Sequence, residues 1–454
     1  MRHIGLGRRL MAILSALAMT QGNIHAAPCP CDIYDAAGTP CVAAHSTVRA
    51  LYSSYNGSLY QVRRKSDNAT KDIGVLTPGG YANTVAQDSF LSGNRAGTIS
   101  KIYDQSPNGN HLTSAPGGFY PTPCIEASLN VPDAMLKVNG HTAYGVYVTG
   151  AYEPKAGVGY RNLQTKAVIA GNTAEGMYMV CSGKHYSQYC CFDYGNAQTN
   201  TQGNVNATME CIYFGTSTEC GHGSGNGPWI LADYENGLVA GIDSVAGSKS
   251  WPNNTSMIAD YVTGIVKSKN TNFWALRAGN AATGKLKTMY SGKFYPGWYP
   301  KKLEGAIVLG IGGDNSHMAD GTFFEGAMTS GFPADSIEDS VQANIVAAGY
   351  GKTTPPVSTR RDAIETATGS PFSVRYNPSN GIAVLNGTLR DARPVSMNIF
   401  DQRGRLIAAI ANSVTSAGRH TAVWHTDGVP AGVYVCKAAI DGREGWTGKI
   451  IVGK

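Results

Sequence analysis

Charged side chains are scarce in this chain, at 15% of 454 residues, and basic residues nowhere form a stripe interleaved with aromatics. That balance excludes the usual nucleic-acid-binding surface. No apolar run is long enough for a membrane-spanning helix. The ten histidines show neither HExxH nor any other paired-ligand spacing, so no metal site is expected. A GxSxG nucleophile elbow is also missing. Two glycine-rich stretches imitate nucleotide motifs and fail. Ala347–Thr353 ends like a phosphate loop, but Val346 stands where its first glycine belongs and a helix precedes it instead of a strand. Gly221–Gly227 has the glycine count of a dinucleotide fingerprint but leads into a strand. It reads as a loop passing close to something.

What the chain does have is 56 glycines, 24 tyrosines and ten cysteines, the profile of a turn-rich, exported all-β protein. Residues 1–27 read as a signal peptide: Arg2, Arg8 and Arg9, a short apolar core from Leu10 to Met19, then small residues at His25-Ala26-Ala27. The formal net charge of +6 misleads, because three arginines leave with the signal and most of the remaining surplus follows Arg360. Strand-like runs at Thr98–Tyr103, Gly145–Val148, Gly176–Cys181, Trp229–Tyr234, Phe273–Arg277 and Ala306–Ile311 alternate with turn clusters. Only Val42–Tyr55 and Asp335–Ala348 have helical spacing. The expected fold is a β-sandwich over 28–351, a linker over 352–370 containing Thr-Thr-Pro-Pro, and a smaller β-sandwich over 371–454. In the last, Val395, Met397 and Ile399 alternate before a turn, and a Gly-Val-Tyr strand follows. It resembles the immunoglobulin-like C-terminal modules of secreted bacterial enzymes and is a candidate secretion or sorting tail.

Cys190 and Cys191 are neighbours. Trans-linked Cα atoms lie about 3.8 Å apart, below the usual disulfide span of roughly 4.4–6.8 Å, and so short a loop removes little unfolded-state entropy. On spacing alone, pairing of each with a distant cysteine is the simpler reading. The carboxylates say more. Trp229–Gly237 is an apolar strand carrying Asp233 and Glu235 two residues apart, which predicts one shared face. Asp314 ends a second apolar run at Gly312-Gly-Asp-Asn-Ser316. Acids at strand ends are usually solvated turn residues, but two of them in a secreted, Tyr-rich sandwich also suit glycoside hydrolysis, which needs a carboxylate nucleophile or base and a carboxylic acid.

Several motifs in series resemble glycoside hydrolase family 54, a family of secreted α-L-arabinofuranosidases. They are Cys31-Asp-Ile-Tyr-Asp, Thr39-Pro-Cys41-Val-Ala-Ala-His-Ser, Ile102–Leu112, Cys190–Asn196, Trp229–Gly237 and Leu309–Ser316. The resemblance covers about Cys31 to Tyr350 and implies a concanavalin-like β-sandwich with a retaining mechanism. It implies Glu235 as nucleophile, Asp314 as general acid/base, and Asp233, Asn236, Gly237 and Gly313 as residues holding a terminal arabinofuranose. It also implies a Cys190–Cys191 vicinal disulfide packed against the sugar and a Cys31–Cys41 disulfide. That reverses the simpler reading of the neighbouring pair.

The implied activity is removal of terminal non-reducing α-L-arabinofuranosyl residues from arabinoxylan, arabinan or their oligosaccharides by an exported monomer needing no cofactor. Dual β-xylosidase activity and a non-catalytic carbohydrate-binding protein on the same fold are the alternatives. The chain departs from the family pattern in having nothing like an arabinose-binding β-trefoil after the catalytic region. A cysteine-bridged loop expected near Phe90–Gly97 has no cysteines. Cys124, Cys181, Cys211 and Cys220 look additional, with Cys211–Cys220 and Cys124–Cys181 as the candidate pairs.

Overall fold

The computed structural model describes residues 28–92, 96–203, 205–243, 247–353 and, discontinuously, the seven strands of the C-terminal region from 372 to 452. The signal-peptide reading and most of the expected linker lie outside the described residues. The chain divides into two compact units, Met1–Val357 and Ser358–Lys454.

Alternation of side chains on short strands builds the first unit. One seven-stranded antiparallel sheet has Lys287–Gly292 at one edge and runs through Trp274–Asn280, Tyr261–Ser268, Glu175–Tyr186 and Gly321–Ser330 to Cys41–Ser46. Val146–Val148 also pairs with Gly321–Ser330. The other runs Leu238–Val239, Trp229–Asp233, Glu210–Gly215, Asp193–Ala197, Ala306–Leu309, Tyr160–Asn162, Thr113–Ser114. Ile212, Phe214, Ile230 and Ala232 of the second sheet join Met177, Met179, Val262, Val266, Trp274 and Leu276 of the first in one buried core. Their partners one residue away, Cys211, Tyr213, Leu231 and Asp233, therefore point out of the opposite face. That outer face carries the candidate site.

The first sheet is covered on its other side too. Val341 and Ile345 of helix Asp335–Ala348 pack with Tyr178, Val180, Ile265 and Phe324. Buried ion pairs of Lys267 and Arg277 with Glu338, at 3.0 and 2.9 Å, fix the helix, and Gly349 ends it at φ 82°. The helical expectation for Val42–Tyr55 fails. Cys41–Ser46 is a strand buried at every residue, with Val42 and Ala43 in one core and Cys41 and Ala44 in the other. A strand buried on both faces loses its polar alternation and imitates helical spacing. The other helical expectation, Asp335–Ala348, matches the observed helix residue for residue.

Cys31 and Cys41 are joined, as are Cys190 and Cys191. The two further pairs suggested by the sequence do not form, and all four of those cysteines are free thiols. Cys181 lies in the inter-sheet core, while Cys124 and Cys211 lie in a small cluster under the outer face. Cys220 is exposed and reaches toward Gly237. In the second unit, a three-stranded and a four-stranded antiparallel sheet enclose Leu385, Ile399, Trp424, Cys436 and Ile450, with Val395, Met397 and Ile399 in the strand Arg393–Asp401.

Candidate active site

The outer face of the second sheet opens into a pocket of about 410 Å³, within the size range of small-molecule sites. The residues singled out in the sequence meet there. Asp233, Glu235, Asn236 and Gly237 line one wall, and Gly313 with Asp314 lines another. Cys190 and Cys191 complete it, and the Cys191 sulfur lies 3.5 Å from Asp233 Oδ2.

Local backbone geometry sets these side chains. The strand stops at Asp233, so Glu235 does not share a strand face with it as the spacing predicts. Glu235 and Asn236 turn through the left-handed region at φ 67° and 58°. For Glu235 this costs about 1–2 kcal/mol, whereas asparagine tolerates it, and two such residues in succession mark a turn held by its surroundings. The Glu235 N–H donates to Asp233 Oδ1 at 2.9 Å, and Lys249 Nζ donates to the Asn236 carbonyl at 3.1 Å. Opposite, the chain leaves strand Ala306–Leu309 and reverses at Gly312, whose N–H donates to the Ser316 carbonyl at 2.9 Å. The Ser316 N–H then donates to Asp314 Oδ1 at 2.8 Å.

Gly203 stands between the two acids. A Cβ there would lie 2.5 Å from Asp314 Cβ and 2.8 Å from Glu235 Oε1, so a side chain would collide with both. Gly203 thus packs between the Glu235 carboxylate and the Cβ of Asp314, and both acids line the same pocket. Burial, then the charge of Asp233, pushes Glu235 from the usual 4.5 up to about 8. Burial also raises Asp233 to about 6. Below it Asp193, fully buried on strand Asp193–Ala197, is pushed far up by burial and by Asp233. Neither of its carboxyl oxygens has a hydrogen-bond partner among the described residues.

Sequence reasoning missed three contributors. Asp193 lies inside the Cys190–Asn196 motif without being singled out, and Gln198 carries no motif. Gln198 Nε2 donates to Glu235 Oε2 and to Thr208 Oγ1. Tyr120 lines the pocket through a loop whose N–H donates to the Asp314 carbonyl at 3.2 Å. Cys220, singled out in the sequence only as an additional cysteine, also lines the pocket. The only three-residue cluster of potential metal ligands among the described residues is Cys190, Cys191 and Asp233. Its two sulfurs are bonded to each other, so the set does not offer two thiolates.

Residues 30–351 match the family model described as α-L-arabinofuranosidase B, catalytic. The chain belongs to that family. A probable α-L-arabinofuranosidase B of Aspergillus fumigatus is 49% identical over 364 residues, covering 78% of this chain and 70% of the relative. An α-L-arabinofuranosidase of Hypocrea jecorina is 51% identical over 343 residues, covering 74% and 66%. Among solved structures, an arabinofuranosidase complexed with arabinofuranosyl-α-1,2-xylobiose is 42% identical at TM-score 0.67, covering 86% of this chain and 74% of that one. A GH54 α-L-arabinofuranosidase soaked with a cyclic sulfate inhibitor is 43% identical at TM-score 0.66. The match to the arabinofuranosidase family spans the sandwich and every pocket residue described above.

Proposed function

We propose that this protein is an exported, retaining α-L-arabinofuranosidase that releases terminal non-reducing arabinofuranosyl units from arabinoxylan- or arabinan-type chains. The observation that carries the reading is that Glu235 and Asp314 line one pocket on either side of Gly203, together with the Cys190–Cys191 disulfide. Retaining hydrolysis needs carboxyl groups about 5–5.5 Å apart, and the reading requires that separation between Glu235 and Asp314.

In this reading Glu235 attacks the anomeric carbon while Asp314 gives its proton to the departing glycosidic oxygen. The covalent glycosyl–Glu235 ester is then cleaved by water, which Asp314 deprotonates, and arabinose leaves with its configuration retained. Asp233 orients the Glu235 turn through its hydrogen bond and faces the sugar hydroxyls with Asn236. Gly237 and Gly313 let backbone approach the ring, and the paired sulfurs supply a rigid apolar wall. Export rests on the reading of residues 1–27. No helix among the described residues is long and apolar enough to cross a membrane. The C-terminal unit lies beyond the matched residues 30–351, and the hydrolytic reading assigns it no part.

The test is hydrolysis of an aryl α-L-arabinofuranoside by wild type, Glu235→Gln and Asp314→Asn, with the anomer of early product read by proton NMR. Wild-type turnover with retention, lost by about 10³-fold or more in Glu235→Gln, is expected. Inversion would overturn the mechanism, and undiminished activity in either variant would overturn its assignment.

A further inference from the structure

Glu235 must be ionised to attack, yet it is buried in a group of acids. Its carboxyl shares the pocket with Asp233 and Asp314, with Asp193 buried beneath and Glu219 on the rim. Burial and these negative charges all favour the protonated form. Something must offset them, and two cations are near. Lys249 reaches the Asn236 carbonyl from a half-buried position at the pocket edge. Arg161 comes from below.

Arg161 is 2% exposed and sits on strand Tyr160–Asn162, opposite Val308. Val308 pairs with Gly195, Gly195 with Cys211, and Cys211 with Asp233, so Arg161 and Asp233 belong to one row across the sheet. Its Nη2 donates to the Gln198 carbonyl at 2.5 Å, and the Gln198 side chain donates to Glu235. Nε and Nη1 have no hydrogen-bond partner among the described residues. No carboxylate forms a salt bridge with Arg161 among the described residues. The ionisable groups that act on it are Cys211, Asp314, Glu235 and Cys124, and both cysteines are neutral, burial having raised them. A buried guanidinium without an ion-pair partner is costly to keep. Burial lowers it only to about 10, so it remains charged at neutral pH.

We propose that Arg161 is the buried counter-charge of this carboxylate group, easing the ionisation of Glu235 that attack requires and, through Gln198, keeping it aimed. It is a positioning residue, touching no substrate, and the proposal rests on the assignment of Glu235 as nucleophile. The test is the pH dependence of kcat/KM on an aryl α-L-arabinofuranoside for wild type, Arg161→Gln and Arg161→Lys, with Glu235→Gln alongside. In Arg161→Gln the acid limb should rise by about one pH unit, a loss of about tenfold on that limb and a much smaller loss on the plateau. Arg161→Lys keeps the charge and should keep the limb in place. A uniform loss across pH in Arg161→Gln, with the limb unmoved, would leave only a structural role and overturn the proposal. Wild type supplies a measurement that needs no variant to fold. A buried charge escapes ionic screening, so the limb should hold between about 0.02 and 1 M salt. A limb that climbs with salt would credit the partly exposed Lys249 and overturn the proposal. An active Glu235→Gln would instead sink the nucleophile assignment, so the two failures are distinguishable.

Discussion

Gly313→Ala tests whether the spacing of the pocket, and not merely its composition, sets the rate. Gly313 has no need of glycine for backbone freedom, since its φ lies outside the left-handed region. Its need is for space. A methyl group there would come within 2.5 Å of Glu235 Oε2 and 2.8 Å of Met209 Sδ, and closer still to Gln198 Oε1. Ordinary contact begins near 3.4 Å, so the Glu235 carboxylate or the Gln198 amide must retreat by about 1 Å. A displacement of that size at a reacting group costs about 10²-fold in rate. The pocket opens to solvent, so the displaced groups have somewhere to go, and stability should fall by no more than about 1–2 kcal/mol. The expected result is kcat on an aryl α-L-arabinofuranoside down by about 10²-fold with a thermal midpoint within several degrees of wild type. Activity within threefold of wild type, in a correctly folded variant, would refute the claim that Gly313 is reserved for close approach.

Glu235→Gln should change stability with a definite sign. The native state holds a proton on Glu235 up to about pH 8 whereas an ordinary carboxyl loses it near 4.5, so wild type loses stability as pH rises between those values. Glutamine has no such loss, and the variant should gain midpoint over wild type at pH 8, by at most about 4 kcal/mol, and gain little at pH 4. Thermal scans at both pH values check this, and an equal difference at the two would refute it. Phe119, 66% exposed and packed edge-on against Tyr120 at 5.7 Å, stands on the Asp314 side, where a leaving group departs. Phe119→Ala should lower kcat/KM for arabinofuranosyl-xylobiose by about 3–10-fold, the range of one aromatic contact. It should leave a methyl arabinofuranoside unchanged, and equal losses on both would remove the leaving-group role.

Much of this was legible in the sequence because some features are local. The runs at Thr98–Tyr103, Gly176–Cys181 and Trp229–Tyr234 carry β-branched and aromatic residues between turn clusters, and each lies on an observed strand. The acids stood out because Asp233 and Asp314 interrupt or end apolar runs. Period-two reasoning failed for Glu235 for a physical reason. It assumes the strand continues, whereas a left-handed turn at 235 and 236 swings the side chain toward Asp314 by another route. Val42–Tyr55 failed for a different one, since burial of Cys41–Ser46 on both faces erases the alternation that identifies a strand.

Asp193, Gln198 and Arg161 were illegible because their importance is relational. A buried aspartate after two cysteines, a glutamine at a strand end and an arginine on a three-residue strand have no spacing that links them. The sheet does that, bringing residues 161, 308, 195, 211 and 233 into one row. The division follows from what each group does. Residues proposed to touch the sugar cluster at strand ends, where turns expose them and short motifs record them. Residues that tune those acids lie inside the sheet, where an adjacent strand can come from anywhere in the chain. A proton balance of this kind is thus a property of register, and the pH profile of an Arg161 variant reads it more directly than any motif.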